Sequence, residues 1–343
     1  MASIKSKEAA MTDFTLTEDF PNSEIEFDQR FSNTEACYEY LARIKWPDGY
    51  TCEKCGHKAY WLSSNNIYIC KRCEHQISLT AGTIMHGTKK PITYWFKAMW
   101  WFTTRKSGVN AVNLQELLGL GSYHTAWSWL QKLRRCTVRK DREKLSGHVE
   151  VDEFFIGGKK AGKRGRGAEG KTIVLVAIER YTAQDPETLN SYWQIGRVRL
   201  QVSLDCSAYS LETFINHNIE TGSMVVTDKL NSYRPALNQE YHHIPVEPAH
   251  QRGPESGLYG VHLIASLVKR LIRGTFQGRL EPKYLQNYLD EYVFRFNRRK
   301  SRSIGKKFMR IVQQVIKSCN IRKKDIQFDL DSFSRYFSLG FYR

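Results

Sequence analysis

Two aspartates, Asp152 and Asp228, could act together if the fold placed them side by side. Asp152 lies in HVEVDEFF, where Val149 and Val151 alternate with polar residues as in a β-strand, and Asp228 ends the apolar run SMVVTD. Two carboxylates on neighbouring strands can share Mg²⁺ ions, which take oxygen ligands in octahedral geometry. Two such ions would activate a water or a 3′-hydroxyl and stabilise the leaving oxygen of a phosphodiester. The pair therefore predicts divalent-metal chemistry on nucleic acid.

The segment that follows the Asp152 strand is a loop of glycines and cations. We expect this loop to hold the DNA backbone beside the metal, because lysine and arginine neutralise phosphates. The cations concerned are Lys159, Lys160, Lys163, Arg164 and Arg166.

The elements that must position the two aspartates follow the order of an RNase H-like core. The strand HVEVDEFFI precedes KTIVLVAIER and YWQIGRVRLQVSL, which also read as strands, then a helix over 207–219, the strand ending at Asp228 and further helices. In this order the first and fourth strands are neighbours, so Asp152 and Asp228 can meet. We therefore predict an α/β catalytic domain over 147–300, with a mixed sheet and flanking helices.

Four of the eight cysteines form two CxxC pairs, CEKCGH and CKRCEH, which are Cys52 with Cys55 and Cys70 with Cys73. Two CxxC turns supply the four thiolates that Zn²⁺ binds tetrahedrally in closed structural sites. The intervening YWLSSNNIYIC is typical of a hairpin with an Asn-Asn turn. The sequence therefore predicts a structural zinc ribbon over 46–87, in which His57 and His75 are surface residues rather than ligands.

Residues 88–138 are predicted to form three helices, which fits a helix-turn-helix DNA-binding region. The helices span 94–105, 111–118 and 122–135, and the third carries a buried stripe at i, i+3, i+4 and i+7. Its opposite face presents Lys132, Arg134 and Arg135, which we expect to contact DNA. The alternative is an ordinary amphipathic helical pair whose cationic face is only solvated.

The charge balance supports a polyanionic partner. Fifty-two Lys and Arg against thirty-five Asp and Glu give a net charge of +17, although the first thirty residues are acidic. Nucleic acid is favoured over an anionic membrane surface. The start of the sequence has no apolar signal segment, and the run ITYWFKAMWWF is too short for a membrane span. We expect a cytoplasmic or, in a bacterium, nucleoid-associated protein without a membrane partner.

Several of these stretches together resemble a known family. CEKCGHKAYWL, AGTIMHGTKKPITYWFKAMWW, VEVDEFFIGGKKAGKRGRG, VVTDKLNSY and GTFQGRLEPKYLQNYLDEYVFRFNRR are similar, in order, to bacterial insertion-sequence transposases of the 1595 type. The likeness covers about 31–300. It implies an RNase H-like DDE domain that cuts and joins its own DNA ends with a divalent metal. Asp152 and Asp228 match the first and second catalytic aspartates.

The third catalytic position departs from the family pattern. Relatives commonly carry Glu or another metal-capable residue seven positions before a Lys on a helix, and this sequence has His262 before Lys269. An imidazole suits Mn²⁺ better than Mg²⁺, and it could instead position a phosphate or move a proton. Arg273 lies on the same helix face and is expected to contact DNA. A surface histidine is the alternative, and Glu153 and Glu255 are weaker candidates for a third carboxylate.

The remaining segments complete the predicted organisation. Residues 1–45 are interpreted as a helical segment with an acidic start, 282–298 as a helix with an aromatic core stripe, and 301–343 as a basic and aromatic tail. We predict a transposase that binds terminal inverted repeats and target DNA, uses Mg²⁺ or Mn²⁺, and acts as a homo-oligomer. The alternatives are a transposase-derived DNA-binding protein that no longer cleaves, and a zinc-ribbon nuclease specific for DNA structure.

Overall fold

The computed structural model describes residues 18–139, 141–157, 171–185, 187–237, 240–247, 257–278, 280–321 and 323–326. Five of the predicted DNA-binding cations lie outside these ranges, as does Glu255. The five are Lys159, Lys160, Lys163, Arg164 and Arg166. The same holds for residues 1–17, within the acidic start, and for all residues after 326.

The described part of the chain contains ten α-helices and eight strands. The helices are α1 (Glu24–Arg30), α2 (Thr34–Lys45), α3 (Ile92–Thr104), α4 (Ala111–Leu118), α5 (Tyr123–Arg135), α6 (Ala208–Asn218), α7 (Tyr233–Leu237), α8 (Tyr259–Gly274), α9 (Leu285–Phe296) and α10 (Ile304–Ile316). The strands are β1 (Tyr60–Leu62), β2 (Ile67–Cys70), β3 (Gln76–Ser78), β4 (His148–Ile156), β5 (Thr172–Gln184), β6 (Ser191–Ser203), β7 (Met224–Thr227) and β8 (His242–Pro245).

The predicted α/β domain over 147–300 is built on a five-stranded mixed sheet in the order β6-β5-β4-β7-β8. Strands β4, β5 and β6 form antiparallel pairs, whereas β7 runs parallel to both β4 and β8. The first and fourth strands of the domain are therefore neighbours, which confirms the predicted RNase H-like order. Helix α6 provides the crossover between the antiparallel strands and β7.

Helices cover both faces of this sheet. Alternate β4 residues point to opposite sides, so Phe154 joins a core with α8 and α9, whereas Val149 and Val151 join a core with α6 and α7. Both faces of β4 are consequently packed against helices. The residues that share the Phe154 face, two and four positions earlier along the strand, are Asp152 and Glu150.

A separate core holds the zinc ribbon and the helical region together. It contains aromatic residues of α1, α2 and α3, including Phe27, Tyr40 and Trp100, together with apolar residues of the ribbon. Helix α10 also belongs to this core, where Phe308 stacks against Tyr40 with ring centroids 6.2 Å apart. The predicted tail over 301–343 therefore begins with a packed amphipathic helix, which the sequence interpretation missed.

None of the described helices combines the length and the apolar character needed to cross a bilayer.

Candidate active site and DNA-binding elements

Strand register brings the two predicted catalytic aspartates to the same level of the sheet. In the parallel pair of β4 and β7, Val149 lies opposite Val225 and Glu150 lies opposite Val226. Two residues further along each strand are Asp152 and Asp228, at the carboxyl end of β7. The first carboxylate is thus part of a strand, and the second lies just beyond the end of one.

Local hydrogen bonds hold both carboxylates in place. Asp152 Oδ1 accepts the backbone N–H of Glu153 at 2.8 Å, and Asp228 Oδ1 accepts the N–H of Leu230 at 3.0 Å. Beneath them lies Tyr233 of α7, which is fully buried. Burial raises the pKa of this phenol well above its ordinary value, and the negative charges of Glu153, Asp152 and Asp228 add to the effect. All three carboxylates therefore lie near the Tyr233 hydroxyl.

Helix α8 places the predicted third residue against the first aspartate. His262 Nε2 lies 3.4 Å from Asp152 Oδ2, and the imidazole is 66% exposed while the carboxylate is 15% exposed. The hydrogen bond to Asp152 raises the pKa of His262, and burial partly opposes this shift. His262 therefore adjoins Asp152 and also faces solvent.

A residue that the sequence interpretation did not single out fixes the start of α8. Glu150 is fully buried, forms an ion pair of 2.6 Å with Arg180 of β5, and accepts the backbone N–H of Val261 at 3.1 Å. Burial raises the pKa of Glu150, whereas its bonds to Arg180 and to the first turn of α8 lower it. The sequence does contain a signal for this residue. Glu150 is a carboxylate on an apolar strand, two residues before Asp152 and therefore on the same strand face.

Close packing at this point also requires a glycine. A Cβ on Gly260 would lie 2.9 Å from Glu150 Oε2, a separation too short for a real contact. Because Gly260 has no side chain, the helix can approach the strand directly. Glu150 and Gly260 thus set the distance between α8 and β4, and hence the distance between His262 and Asp152.

Lys269 and Arg273 continue along α8 from His262. The ammonium of Lys269 lies 5.5 Å from the centre of the Phe154 ring, and burial lowers the pKa of this lysine, with Arg273 and Lys171 contributing repulsion. Arg273 is exposed. The helix side next to the acidic pair therefore carries positive charge, which suits an approaching phosphate.

The side chains at this site offer the donor types that a divalent cation such as Mg²⁺ or Mn²⁺ accepts. Asp152 and Asp228 offer carboxylate oxygens, and the exposed His262 offers a ring nitrogen. Within the described ranges, the four ribbon cysteines are the one group of three or more His, Cys, Asp or Glu whose ligand atoms all lie within 4.8 Å of one another. Asp152, Asp228 and His262 are therefore more widely spaced than a closed metal site.

The zinc ribbon has the geometry that the cysteine spacing predicts. Cys52 Sγ lies 3.6 Å from Cys73 Sγ, and Cys55 Sγ lies 3.6 Å from Cys70 Sγ. Thiolates bound tetrahedrally at about 2.3 Å from zinc would be about 3.8 Å apart. The four-cysteine cluster therefore fits a structural zinc.

The two cysteine turns share the same backbone pattern. Gly56 N–H donates to Cys52 O at 2.9 Å, and Glu74 N–H donates to Cys70 O at 3.0 Å. Both residues have positive φ, 71° and 57° respectively, which lets each turn close beneath its pair of sulfurs. Asn66, with φ 57°, turns the hairpin between β1 and β2.

The third helix of the predicted helix-turn-helix forms, but its cationic face is buried. Arg134 is 1% exposed and its Nε donates to Glu291 of α9 at 2.7 Å, while Arg135 is 8% exposed. Lys132 is half-buried and donates to the carbonyl of Ile84. The prediction that Arg134 and Arg135 contact DNA is therefore wrong for this arrangement, because α9 packs on the face that was expected to be free. The exposed part of α5 is its first turn, with Tyr123 and His124.

Two family models match the chain. Residues 144–297 match the ISXO2-like transposase domain, and residues 32–76 match the transposase zinc-ribbon domain. Both belong to the 1595 type of insertion-sequence transposases, and together they cover more than half of the sequence. A comparison with curated proteins found no significant match.

Proposed function

Because this chain belongs to the insertion-sequence transposases of the 1595 type, we propose that it binds the ends of its element and catalyses metal-dependent phosphodiester cleavage and strand transfer. The observation that carries this proposal is the register of β4 and β7, which puts Asp152 and Asp228 at one level of the sheet with His262 beside Asp152. A phosphodiester could approach this site from solvent, over the exposed imidazole.

Asp152, Asp228 and His262 would hold the divalent cation, Mg²⁺ or Mn²⁺. When bound, the cation would polarise the scissile phosphate and lower the pKa of the attacking water or 3′-hydroxyl. If His262 does not bind the cation, it would instead orient Asp152 through the Nε2 contact and donate a proton from that atom or take one back there. Lys269 would attract the phosphate that carries the developing charge.

The rest of the molecule would bind and position DNA. The ribbon, the first turn of α5 and Arg273 would contact the terminal inverted repeats, and the lysine- and arginine-rich loop over 158–170 would hold the backbone near the aspartates. Since two ends must be joined to one target, the working form would be a homo-oligomer.

The test is strand cleavage and joining on DNA that carries the gene's flanking ends, in Mg²⁺ and in Mn²⁺. We expect Asp152→Asn and Asp228→Asn to abolish both reactions while end binding persists. His262→Ala should lose at least about 100-fold in rate if its imidazole contributes acid–base or metal-ligand chemistry. Glu187→Gln, which changes an exposed carboxylate between β5 and β6, is the matched control and should retain activity.

Two other results would assign a different function. Tight end binding without cleavage in either metal would identify a DNA-binding protein that has lost catalysis. Cleavage that depends on branched DNA structure, and not on the end sequence, would identify a structure-specific nuclease.

A further inference from the structure

A cavity of about 980 Å³ lies where the helical region meets the α/β domain. Its described lining comes from 103–113, from the second half of α8 and the residues after it, from α9, and from 299–307 at the start of α10. None of these lining residues belongs to the candidate active site or to the zinc ribbon. The volume is in the range of ligand and cofactor sites, about 300–1,000 Å³.

The charge of the lining has one sign. Within the described part of the chain, six cationic side chains and no carboxylate line the cavity. Three of the six already have partners. Arg105 pairs with Glu24 at 3.5 Å. Arg295 pairs with Glu291 at 2.8 Å, and Arg299 donates to backbone carbonyls of β6. The six cations are Arg105, Lys106, Arg270, Arg295, Arg299 and Lys307.

The other three cations are available to a ligand. Lys106, Arg270 and Lys307 form no hydrogen bond or ion pair with any residue that the structure describes. Lys106 and Arg270 are exposed, so water hydrates them. Lys307 is half-buried, and burial together with repulsion from Arg295 lowers its pKa. A half-buried ammonium without a counter-charge costs free energy, which a bound anion would offset.

The cavity also has an apolar side. Leu267 and Leu271 lie one turn apart on α8 and both line it. Tyr292 and Phe296 of α9 do the same, and their rings stack with centroids 5.7 Å apart. All four residues are partly exposed. Apolar surface next to unpaired cations suits a ligand that combines a flat apolar group with negative charge, which is the composition of a nucleotide.

Helix α8 connects the cavity to the candidate active site. Arg270 follows His262 by eight residues, which is about 12 Å along the helix axis and about 80° around it. Lys269, on the His262 side of the helix, directly precedes Arg270. A DNA strand that runs from Asp152 past Lys269 would therefore reach the cavity within about four nucleotides, at about 3.4 Å or more for each.

We propose that the cavity binds one unpaired nucleotide of the DNA strand that is cleaved, with its phosphates on Arg270 and Lys307 and its base on the apolar side. The choice of DNA as the ligand rests on the proposed function. Bases bind aromatic and apolar side chains with little regard to sequence. A base inside a duplex is covered on both faces by its neighbours, so the nucleotide must leave the helix to enter the cavity. Binding there would hold the strand in place beside the aspartates.

The first experiment measures binding of single-stranded oligothymidylate to the full, zinc-loaded chain without Mg²⁺ or Mn²⁺. We expect Arg270→Gln and Lys307→Gln each to weaken binding about tenfold. Each should also reduce the slope of log K against log salt by about 0.7, the value for one phosphate contact on a single strand. Arg43→Gln removes an exposed charge from α2 and should change neither quantity. On a blunt duplex of unrelated sequence, all three variants should bind as the unaltered chain does.

The thermal midpoint of the same variants separates binding from folding. Lys307→Gln removes a half-buried charge that has no described partner, so its Tm should be unchanged or higher. Arg270 is exposed, and its replacement should leave the Tm unchanged. A lower Tm for Lys307→Gln with intact oligothymidylate binding would make this lysine structural and overturn its role in the site.

The second experiment locates the nucleotide on the end DNA. A single mismatch is placed at each of the first four positions beside the cleavage site. We expect one mismatch to tighten binding about tenfold over the fully paired end, because the duplex is already open at that position. An abasic nucleotide there should lose this gain, since no base remains for the apolar side. Arg270→Gln should lose the gain as well, and Arg43→Gln should keep it.

Three results would overturn the proposal. The first is an equal loss of affinity on single-stranded and duplex DNA, which would indicate a general phosphate-binding surface. The second is the same affinity for all four mismatched ends and the paired end. The third is displacement of oligothymidylate by polyglutamate at equal charge concentration, which would assign the cavity to an acidic protein segment. The oligothymidylate assay requires neither cleavage nor the end sequence. Absence of cleavage with these binding results intact would therefore contradict the transposase proposal alone.

Discussion

At the scale of single residues, the site depends on a contact between α8 and β4. The residues that make this contact are not themselves proposed catalytic groups. Glu150 binds the first turn of α8, and Gly260 leaves room for its carboxylate. Both residues act on His262 through the position of the helix. They are positioning residues, and their effect should appear in the rate of cleavage with little change in DNA affinity.

Gly260→Ala tests this arrangement. The new Cβ would lie 2.9 Å from Glu150 Oε2, in a fully buried place, so the helix or the carboxylate must move. We expect the free energy of unfolding to fall by about 1–3 kcal/mol, and cleavage to fall more than end binding. Urea denaturation and single-turnover cleavage measure the two effects.

Gly274→Ala is the matched control on the same helix. A Cβ at this position meets nothing within 4 Å, and the backbone there does not need a glycine. Alanine should therefore be neutral or stabilise the helix by up to about 1 kcal/mol. If Gly260→Ala behaved like Gly274→Ala in both assays, close packing of α8 on β4 would not position His262.

At the scale of secondary-structure elements, the sequence predicts what is local and misses what depends on a distant partner. Polar–apolar alternation located β4, a nearly continuous apolar run located β5, and the helical spacing of apolar residues located α5. The same periodicity wrongly predicted that Arg134 is exposed to solvent. A polar residue opposite an apolar stripe is normally solvated, but here α9, more than 150 residues later, covers it with Glu291.

The candidate site shows the same division. Asp152, Asp228 and the four cysteines could be found because strand order and CxxC spacing determine where they lie. Glu150 and Arg180 could not be paired from sequence, since nothing local reveals that β5 places the guanidinium against that carboxylate. Helix α10 was missed because the segment 301–343 was interpreted as a basic and aromatic tail without a helical pattern.

The exposure of α5 leads to a prediction about DNA recognition. Since its middle and end are buried, only the first turn can enter a groove, and this turn carries the exposed Tyr123 and His124. Contacts from the start of the second helix are usual for helix-turn-helix proteins. We expect Tyr123→Ala with His124→Ala to weaken binding of the end sequence by about 10- to 100-fold, with little change on unrelated DNA.

The appropriate control is Tyr209→Ala, which removes an exposed tyrosine from α6 of the catalytic domain. Its affinity for the end sequence should be unchanged in the same electrophoretic mobility assay. Equal loss on specific and unrelated DNA in the double variant would mean that the first turn of α5 supplies only non-specific contacts. Normal binding by the double variant would remove α5 from the recognition surface.

At the scale of the whole molecule, a buried ion network joins the helical region to the catalytic domain. Glu291 of α9 binds Arg134 of α5 at 2.7 Å and Arg295 at 2.8 Å, and both Glu291 and Arg134 are 1% exposed. Arg295 in turn donates to the carbonyls of Phe102 and Arg105, at the end of α3. One carboxylate thus holds two cations that reach three helices from both parts of the chain.

Glu291→Gln should separate the two parts of the molecule. The substitution leaves Arg134 buried without its counter-charge, which typically costs about 3–5 kcal/mol when one partner of a buried pair is removed. Because the lost contact lies between domains, the penalty falls on their association more than on either core. We expect the single thermal unfolding transition to split into two. The zinc-ribbon and tryptophan signals, which report on the helical region, would then no longer coincide with the far-ultraviolet signals from the sheet.

Glu281→Gln provides the comparison, since Glu281 pairs with Lys283 at 2.7 Å on an exposed turn. Exposed pairs contribute little, so this variant should unfold as the unaltered chain does. DNA that spans both parts should partly restore coincidence in Glu291→Gln, because binding to both parts favours their association. A single unshifted transition in Glu291→Gln would show that apolar contacts alone fix the domains, and the network would then have no role in their coupling.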